Sequence, residues 1–239
     1  MTGRLPAAAL SDPRALRAIA VLAVTQMIGW TSAYYFPAVL LRPISAELGI
    51  GTELVIGARN RIREYATLNP GTAGGGGVTR VGDDNLLMMS IHVGHDCVIG
   101  NGVILVNHAT LSGHVVIEDN VILGGLSAVH QFCRIGRGAM IGGMAGVAAD
   151  VIPYGMVVGE RAGLAGLNLV GLKRRGVERD LIHGLRAAYV EIFEATEGGT
   201  LQERAAAVAA ARAGNPLVQE VAGFVAADSS RSFLTPHRD

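Results

Sequence analysis

The chain has 239 residues, no net formal charge and 33 glycines. Half of it is apolar although aromatics make up only 5 %, which excludes both a disordered chain and an ordinary core built on large side chains. The balance of 20 basic and 20 acidic residues excludes a basic nucleic-acid binder. Two cysteines, Cys97 and Cys133, are too few for a disulfide framework and fit a reducing compartment.

Residues 1–53 form a first, apolar and aromatic-rich stretch. Within it, residues 18–41 are 24 consecutive residues without a charge, bounded by Arg17 and Arg42. That length spans a bilayer, and Trp30, Tyr34, Tyr35 and Phe36 suit its interfaces. An N-terminal apolar helix is expected here, with membrane contact through 18–41. The alternative is a buried helix or a lid on the end of the domain that follows.

Residues 54–160 carry an internal period. Counting from Val81 in steps of six gives Leu87, Val93, Ile99, Leu105, Leu111, Ile117, Leu123, Val129, Ile135, Ile141 and Val147 without a break. Ile56, Ile62 and Leu68 share the step, and a glycine-rich insertion at 74–77 then shifts the register by one residue. A six-residue period fits neither a helix nor a simple meander. It fits a β-solenoid whose three-unit coils contain 18 residues, with the aliphatic residue pointing inward. Glycine and asparagine are expected at the corners, where the backbone needs positive φ. Cys97 and Cys133 then share a column two coils apart, about 9–10 Å at about 4.8 Å per coil. That exceeds disulfide reach, so both are expected to be free.

Residues 161–239 read as a C-terminal α-helical domain. A helix is expected over 177–195, stopped by Gly198 and Gly199. Thr200 with Glu203 forms a capping box, and Asn215-Pro216 opens a third helix to about Ala227. This region supplies the cap that a solenoid end requires.

Five of the seven histidines fall between His92 and His130. The 18-residue coil stacks Asp96 on His114 and His95 on Gly113, with Gln131 one coil further and His130 in the adjoining column. One corner thus gathers His95, Asp96, Gly113, His114, His130 and Gln131. A histidine beside a carboxylate suits general-base chemistry, provided the pair sits at a corner, since neighbours on a strand point apart. Histidines from facing subunits also suit a metal site, and solvated polar corners are the plainest reading. Spacing alone leaves these three open.

The segments His92-Val93-Gly94-His95-Asp96-Cys97, Gly113-His114, Ala128-Val129-His130-Gln131-Phe132-Cys133, Gly166-Leu167-Asn168 and Gly171-Leu172-Lys173-Arg174-Arg175-Gly176 resemble the UDP-N-acetylglucosamine O-acyltransferases. Asn60-Arg61-Ile62-Arg63-Glu64 agrees, and the resemblance runs from about Gly57 to Ser230. It implies an all-β left-handed parallel β-helix followed by a helical domain, assembled as a homotrimer with active sites between subunits. It also implies cytoplasmic transfer of a 3-hydroxyacyl group from acyl carrier protein to UDP-N-acetylglucosamine, the first step of lipid A synthesis. No cofactor or metal of the chain's own is implied, because the carrier protein's phosphopantetheine holds the acyl group.

The implied roles are specific. His95 is the general base, Asp96 orients it, and the Gly113 N–H serves the oxyanion. His92, His114, His130 and Gln131 line the substrate sites. Gly143 leaves room in the acyl groove. Asn168, Arg174 and Arg175 serve the nucleotide and carrier-protein side. Two departures accompany the resemblance. Asn69-Pro70 stands where many members carry a histidine and a basic residue. The family's first coils are replaced by residues 15–50, whose Thr25-Gln26-Met27-Ile28-Gly29-Trp30 resembles the first membrane helix of major-facilitator transporters. The alternatives are a non-catalytic trimer that binds nucleotide sugar or carrier protein, and a metal-dependent hydratase on the same solenoid. The His-x4-His spacing of gamma-class carbonic anhydrases is not present for the latter.

Overall fold

The computed structural model of the protein describes residues 52–194 and 199–236. The expected N-terminal apolar helix and membrane contact at 18–41 lie outside the described residues. Among the described residues no helix is long and apolar enough to cross a membrane.

The chain winds through three parallel sheets, visiting each once per coil. The first sheet holds β1 (Glu53–Ile56), β4 (Val78–Val81), β7 (Val98–Ile99), β10 (Val116–Ile117) and β13 (Arg134–Ile135). The second holds β2 (Arg61–Ile62), β5 (Leu86–Leu87), β8 (Ile104–Leu105), β11 (Ile122–Leu123) and β14 (Met140–Ile141). The third holds β3 (Thr67–Leu68), β6 (His92–Val93), β9 (Thr110–Leu111), β12 (Ala128–Val129) and β15 (Gly146–Val147). This is a left-handed parallel β-solenoid with a helical region after it. Register confirms the 18-residue coil: Val98 pairs with Val116, Ile104 with Ile122, His92 with Thr110. Between the first two coils the offset is 25, as for Thr67 and His92. The seven extra residues bulge out between β3 and β4.

Every aliphatic residue of the series from Val81 to Val147 is buried. A second column two positions earlier is buried as well: Ile91, Cys97, Val103, Ala109, Val115, Val121, Ser127, Cys133, Ala139, Ala145 and Val151. It mixes Val and Ile with Ala, Ser and Cys and contains both free cysteines, whose thiols burial pushes up to about 11. Ile56 and Ile62 keep the register but are exposed, because the first described coil has no other described coil on its outer side.

The corners correct one expectation. Twelve of the described residues other than glycine adopt left-handed φ between 57° and 65°, among them Asp84, Ser90, Asp96, His114, Leu126 and Tyr154. A side chain there costs about 1–2 kcal/mol. The corner amide gains a partner in return: His108 N–H donates to Met89 O, Asn120 N–H to Asn101 O and Leu126 N–H to Asn107 O, each one coil back. The glycines that follow the aliphatic residue are needed for close stacking of coils. A Cβ on Gly94 would lie 2.8 Å from Gly113 N, and one on Gly136 2.3 Å from Pro153 N.

After the coils, β16 (Gly155–Val158) joins the second sheet and pairs antiparallel with β17 (Gly163–Leu167). Among the described residues four helices follow: α1 (Leu169–Arg174), α2 (Arg179–Tyr189), α3 (Leu201–Ala211) and α4 (Pro216–Ala226), with a π-helical turn at Val190–Glu194. The capping box of Thr200 and Glu203 forms as expected, and Asn215 caps α4 ahead of Pro216. Helices and last coils share one apolar core. The fully buried Asp150 fastens this join. It accepts from Arg134 N–H at 2.8 Å and Arg134 Nε at 2.7 Å, while the Arg134 guanidinium lies 4.5 Å over the Phe224 ring.

If close stacking and not φ selects the glycines, Gly136→Ala should destabilise by about 1–3 kcal/mol in urea unfolding, as overpacking does. Gly102→Asn, at a left-handed corner (φ 63°) where asparagine is tolerated, should cost less than about 1 kcal/mol. The reverse order would contradict this account of the glycines.

Candidate active site

His95 and Asp96 occupy the corner between β6 and β7, in the third and first sheets. Adjacent side chains converge there because Asp96 has φ 58°. His95 Nδ1 lies 2.8 Å from Asp96 Oδ2. The next coil stacks on this corner: His114 N–H donates to His95 O at 2.9 Å, and the two rings meet edge-on at 5.1 Å. His114 Nε2 is 4.0 Å from Asp96 Oδ2, and the His114 ring stacks on Phe132 at 4.5 Å one coil further. The predicted column of Asp96, His114 and their neighbours is therefore assembled as the spacing requires.

Asp96 has a side chain only 2 % exposed. Burial by itself would raise its carboxyl. The Thr72 hydroxyl and amide, His95 and the charge of His114 outweigh that and hold it at about 2. An ionised carboxylate can only accept, so the shared proton sits on His95 Nδ1 and the Nε2 lone pair is left free. The His95 side chain is 45 % exposed, so that lone pair can meet a substrate.

Gly113 lies under the His95 ring. A Cβ there would be 2.6 Å from His95 Cε1 and 2.7 Å from Nε2, so only glycine allows this approach. Its N–H donates to no acceptor among the described residues.

His130 and Gln131 sit one coil on, both exposed. Arg231, 101 residues later, donates from Nη2 to His130 Nδ1 at 2.9 Å and from Nε to Gln131 O at 3.0 Å. A guanidinium has no acceptor, so His130 Nδ1 accepts and its proton is on Nε2. The longer 3.3 Å approach of the same nitrogen to Gln131 O gives way to that bond. His92 stands on β6 with Nδ1 2.8 Å from the Thr67 hydroxyl.

The remaining predicted residues lie elsewhere on the chain. Asn168 caps α1 through Gly171 N–H at 2.9 Å and donates to Gly138 O at 3.0 Å. With Arg174 and Arg175 it lines a groove of about 410 Å³ over Ile104, Ile122, Met140 and Met156, on the face of the second sheet. The histidine corner joins the other two sheets, so one chain does not bring the two halves together. Gly143 is exposed at the corner between the second and third sheets, against Gly125 O.

Sequence reasoning did not single out Thr72, Thr79, Thr67 or Arg231. Among the described residues, His95, Asp96 and His114 form the one trio of His, Cys, Asp or Glu side chains whose potential metal-ligating atoms all lie within 4.8 Å of one another. The Asp96 oxygens are already engaged by Thr72 and His95, which organises the group as a hydrogen-bonded relay.

Asp96 should therefore stay ionised far into acid. A carbon-13 titration of its carboxyl should give a midpoint near 2, below the ordinary value of about 3.9. Because the folded value is depressed, its contribution to stability is complete above about pH 4 and lost as pH falls through about 2. A midpoint at the ordinary carboxylate value would contradict the arrangement.

Two family profiles match the chain: bacterial transferase hexapeptide (six repeats) over 79–113, and UDP-N-acetylglucosamine O-acyltransferase domain 2 over 150–234. A relative from Paracoccus denitrificans, an acyl-(acyl-carrier-protein)–UDP-N-acetylglucosamine O-acyltransferase, is 57 % identical over 205 residues, covering 84 % of this chain and 77 % of that protein. One of the same name from Anaeromyxobacter is 51 % identical over 177 residues, covering 74 % and 68 %. The solved UDP-N-acetylglucosamine acyltransferase of Francisella novicida superposes with a TM-score of 0.73 at 37 % identity, over 78 % of this chain and 67 % of that one. The Arabidopsis enzyme gives 0.72 at 40 %, over 77 % and 66 %. With the coil register, the histidine corner and these relatives in agreement, the chain belongs to the acyl-(acyl-carrier-protein)–UDP-N-acetylglucosamine O-acyltransferase family.

Proposed function

We propose that this acyltransferase moves a 3-hydroxyacyl group from acyl carrier protein to the 3-hydroxyl of UDP-N-acetylglucosamine, the entry to lipid A. The observation that carries the reading is the His95–Asp96 pair. Its proton is fixed on Nδ1, and its free Nε2 stands over Gly113, whose N–H donates to no acceptor among the described residues.

The chemistry follows from that geometry. His95 Nε2 takes the proton of the sugar hydroxyl as its oxygen attacks the thioester carbonyl. Asp96 keeps the ring in the productive tautomer and stabilises the imidazolium that forms. The Gly113 N–H donates to the oxyanion of the tetrahedral intermediate, an interaction of about 3–4 kcal/mol in comparable sites. When the carbon–sulfur bond breaks, His95 returns the proton to the departing thiol of the carrier's phosphopantetheine. The chain needs no cofactor of its own for this exchange.

Binding divides between two surfaces. His92, His114, His130 and Gln131 surround the base and face sugar and acyl chain. Asn168, Arg174 and Arg175 offer an amide and two planar cations to the diphosphate. Gly143, without a side chain, leaves the acyl groove open to a longer chain. Because these surfaces lie on different faces of one chain, we assign the complete site to the cleft between subunits of a homotrimer. The carrier protein is a cytosolic donor, which places the site in the cytoplasm. Any membrane tether through 18–41 has to leave it there.

The test is acyl transfer by the purified full chain from 3-hydroxyacyl carrier protein to UDP-N-acetylglucosamine. His95→Ala should lower kcat/KM by about 10²- to 10⁴-fold, with nucleotide-sugar binding changed by no more than a few-fold. Undiminished turnover in that variant would falsify His95 as the base. No transfer by the unaltered chain would overturn the reaction itself.

A further inference from the structure

The insertion between β3 and β4 remains unexplained by the reaction described above. It breaks an otherwise regular solenoid immediately before the catalytic corner. At other corners the left-handed residue donates its N–H to a carbonyl one coil back, as His114 does to His95 and Leu126 to Asn107. Asp96 has no such partner, because the inserted residues displace the preceding coil's corner. Its N–H donates instead to the hydroxyl of the fully buried Thr79, at 2.8 Å.

The loop takes over the rest of the corner's work. Thr72 donates its N–H to both Asp96 oxygens, at 3.0 and 3.1 Å, and its hydroxyl to Oδ2 at 2.7 Å. The Thr72 carbonyl in turn accepts from Gly75 N–H at 3.0 Å and Gly77 N–H at 2.9 Å. The loop is thus closed on the same residue that grips the carboxylate. Gly75 packs directly on the pair below: a Cβ would lie 2.2 Å from Asp96 Oδ2 and 2.7 Å from His114 Cε1. Gly76 and Gly77 turn the chain back at φ 111° and 81°, where larger residues are strained. The glycine run is what allows backbone to lie flat against a carboxylate.

We propose that Thr72 is a positioning residue of the acyl transfer, acting through Asp96 to set the orientation and basicity of His95, with the 74–77 glycines as the support that holds it there. This deepens the function proposed above and rests on it. The titratable groups facing Asp96 are His95, His114 and the Cys97 thiol. Oδ2 is shared between the Thr72 hydroxyl and His95 Nδ1–H. The two donors compete for one oxygen. Removing the hydroxyl leaves the carboxylate more basic and less fixed. It then holds the His95 imidazolium more tightly and aims the ring less well.

The experiment compares Thr72→Val, which keeps shape and N–H but loses the hydroxyl, with Thr72→Ser, which restores it. Thr72→Val should lower kcat by about 10- to 100-fold, the range for a hydrogen bond to a charged group, with KM for the nucleotide sugar nearly unchanged. The acid limb of its kcat/KM profile should move to higher pH, and the Asp96 carboxyl midpoint, read by carbon-13 titration without substrate, should rise. Thr72→Ser should match the parent in all three. Equal behaviour of the two variants, or a shifted carboxyl midpoint with unchanged kcat, overturns the proposal. If the parent transfers no acyl group, the assigned reaction fails instead, and the substrate-free titration still decides whether Thr72 holds Asp96.

Discussion

Parallel pairing at a fixed offset of 18 residues governs the solenoid from Val78 to Val147. Each coil's amides find carbonyls on the next coil, so no strand of two residues has to be stable alone. That pairing requires inward side chains to stack on their own kind, column upon column. It also requires the backbones to approach closely, which is where Gly94, Gly124 and Gly136 are used. The scarcity of aromatics has the same origin, since a narrow three-sided core admits two inward residues per turn of the hexad and accepts Val, Ile, Leu, Ala and Cys.

The same register creates the chemistry. A left-handed corner turns the side chains of neighbouring residues toward one another, so that His95 and Asp96 can pair although they are adjacent in sequence. Stacking brings Gly113 beneath the ring and His114 beside the carboxylate. Where the register is interrupted, a loop supplies the missing donors through Thr72 and Thr79. The interruption is thus used at the corner where the buried Asp96 carboxylate pairs with His95. An ionised carboxylate 2 % exposed needs several donors to remain ionised, and the loop supplies the Thr72 amide and hydroxyl.

Much of this was legible in the residues. Twelve aliphatic residues at a step of six announce the solenoid, and an 18-residue coil then places His95 over Gly113 by arithmetic. The second inward column was harder to read, because Cys97, Ala109, Ser127 and Cys133 do not look like a core. Gly102 and Gly138 serve positive φ whereas most glycines serve close approach, and composition does not separate those two needs. Thr72 falls in the stretch where the period breaks, 24 residues from its partner. Arg231 reaches His130 from the far end of the chain, beyond any periodic relation. The antiparallel β16–β17 pair and the six-residue α1 are too short for a pattern of their own. The two halves of the site share no column, so only the fold reveals that they face different ways.

The most direct test is a crystal structure of the full chain with UDP-N-acetylglucosamine. The expected result is the sugar 3-hydroxyl within hydrogen-bond distance of His95 Nε2 of one subunit, and the diphosphate against Arg174 or Arg175 of its neighbour. A nucleotide sugar bound wholly to one chain, with its hydroxyl away from His95, would contradict it.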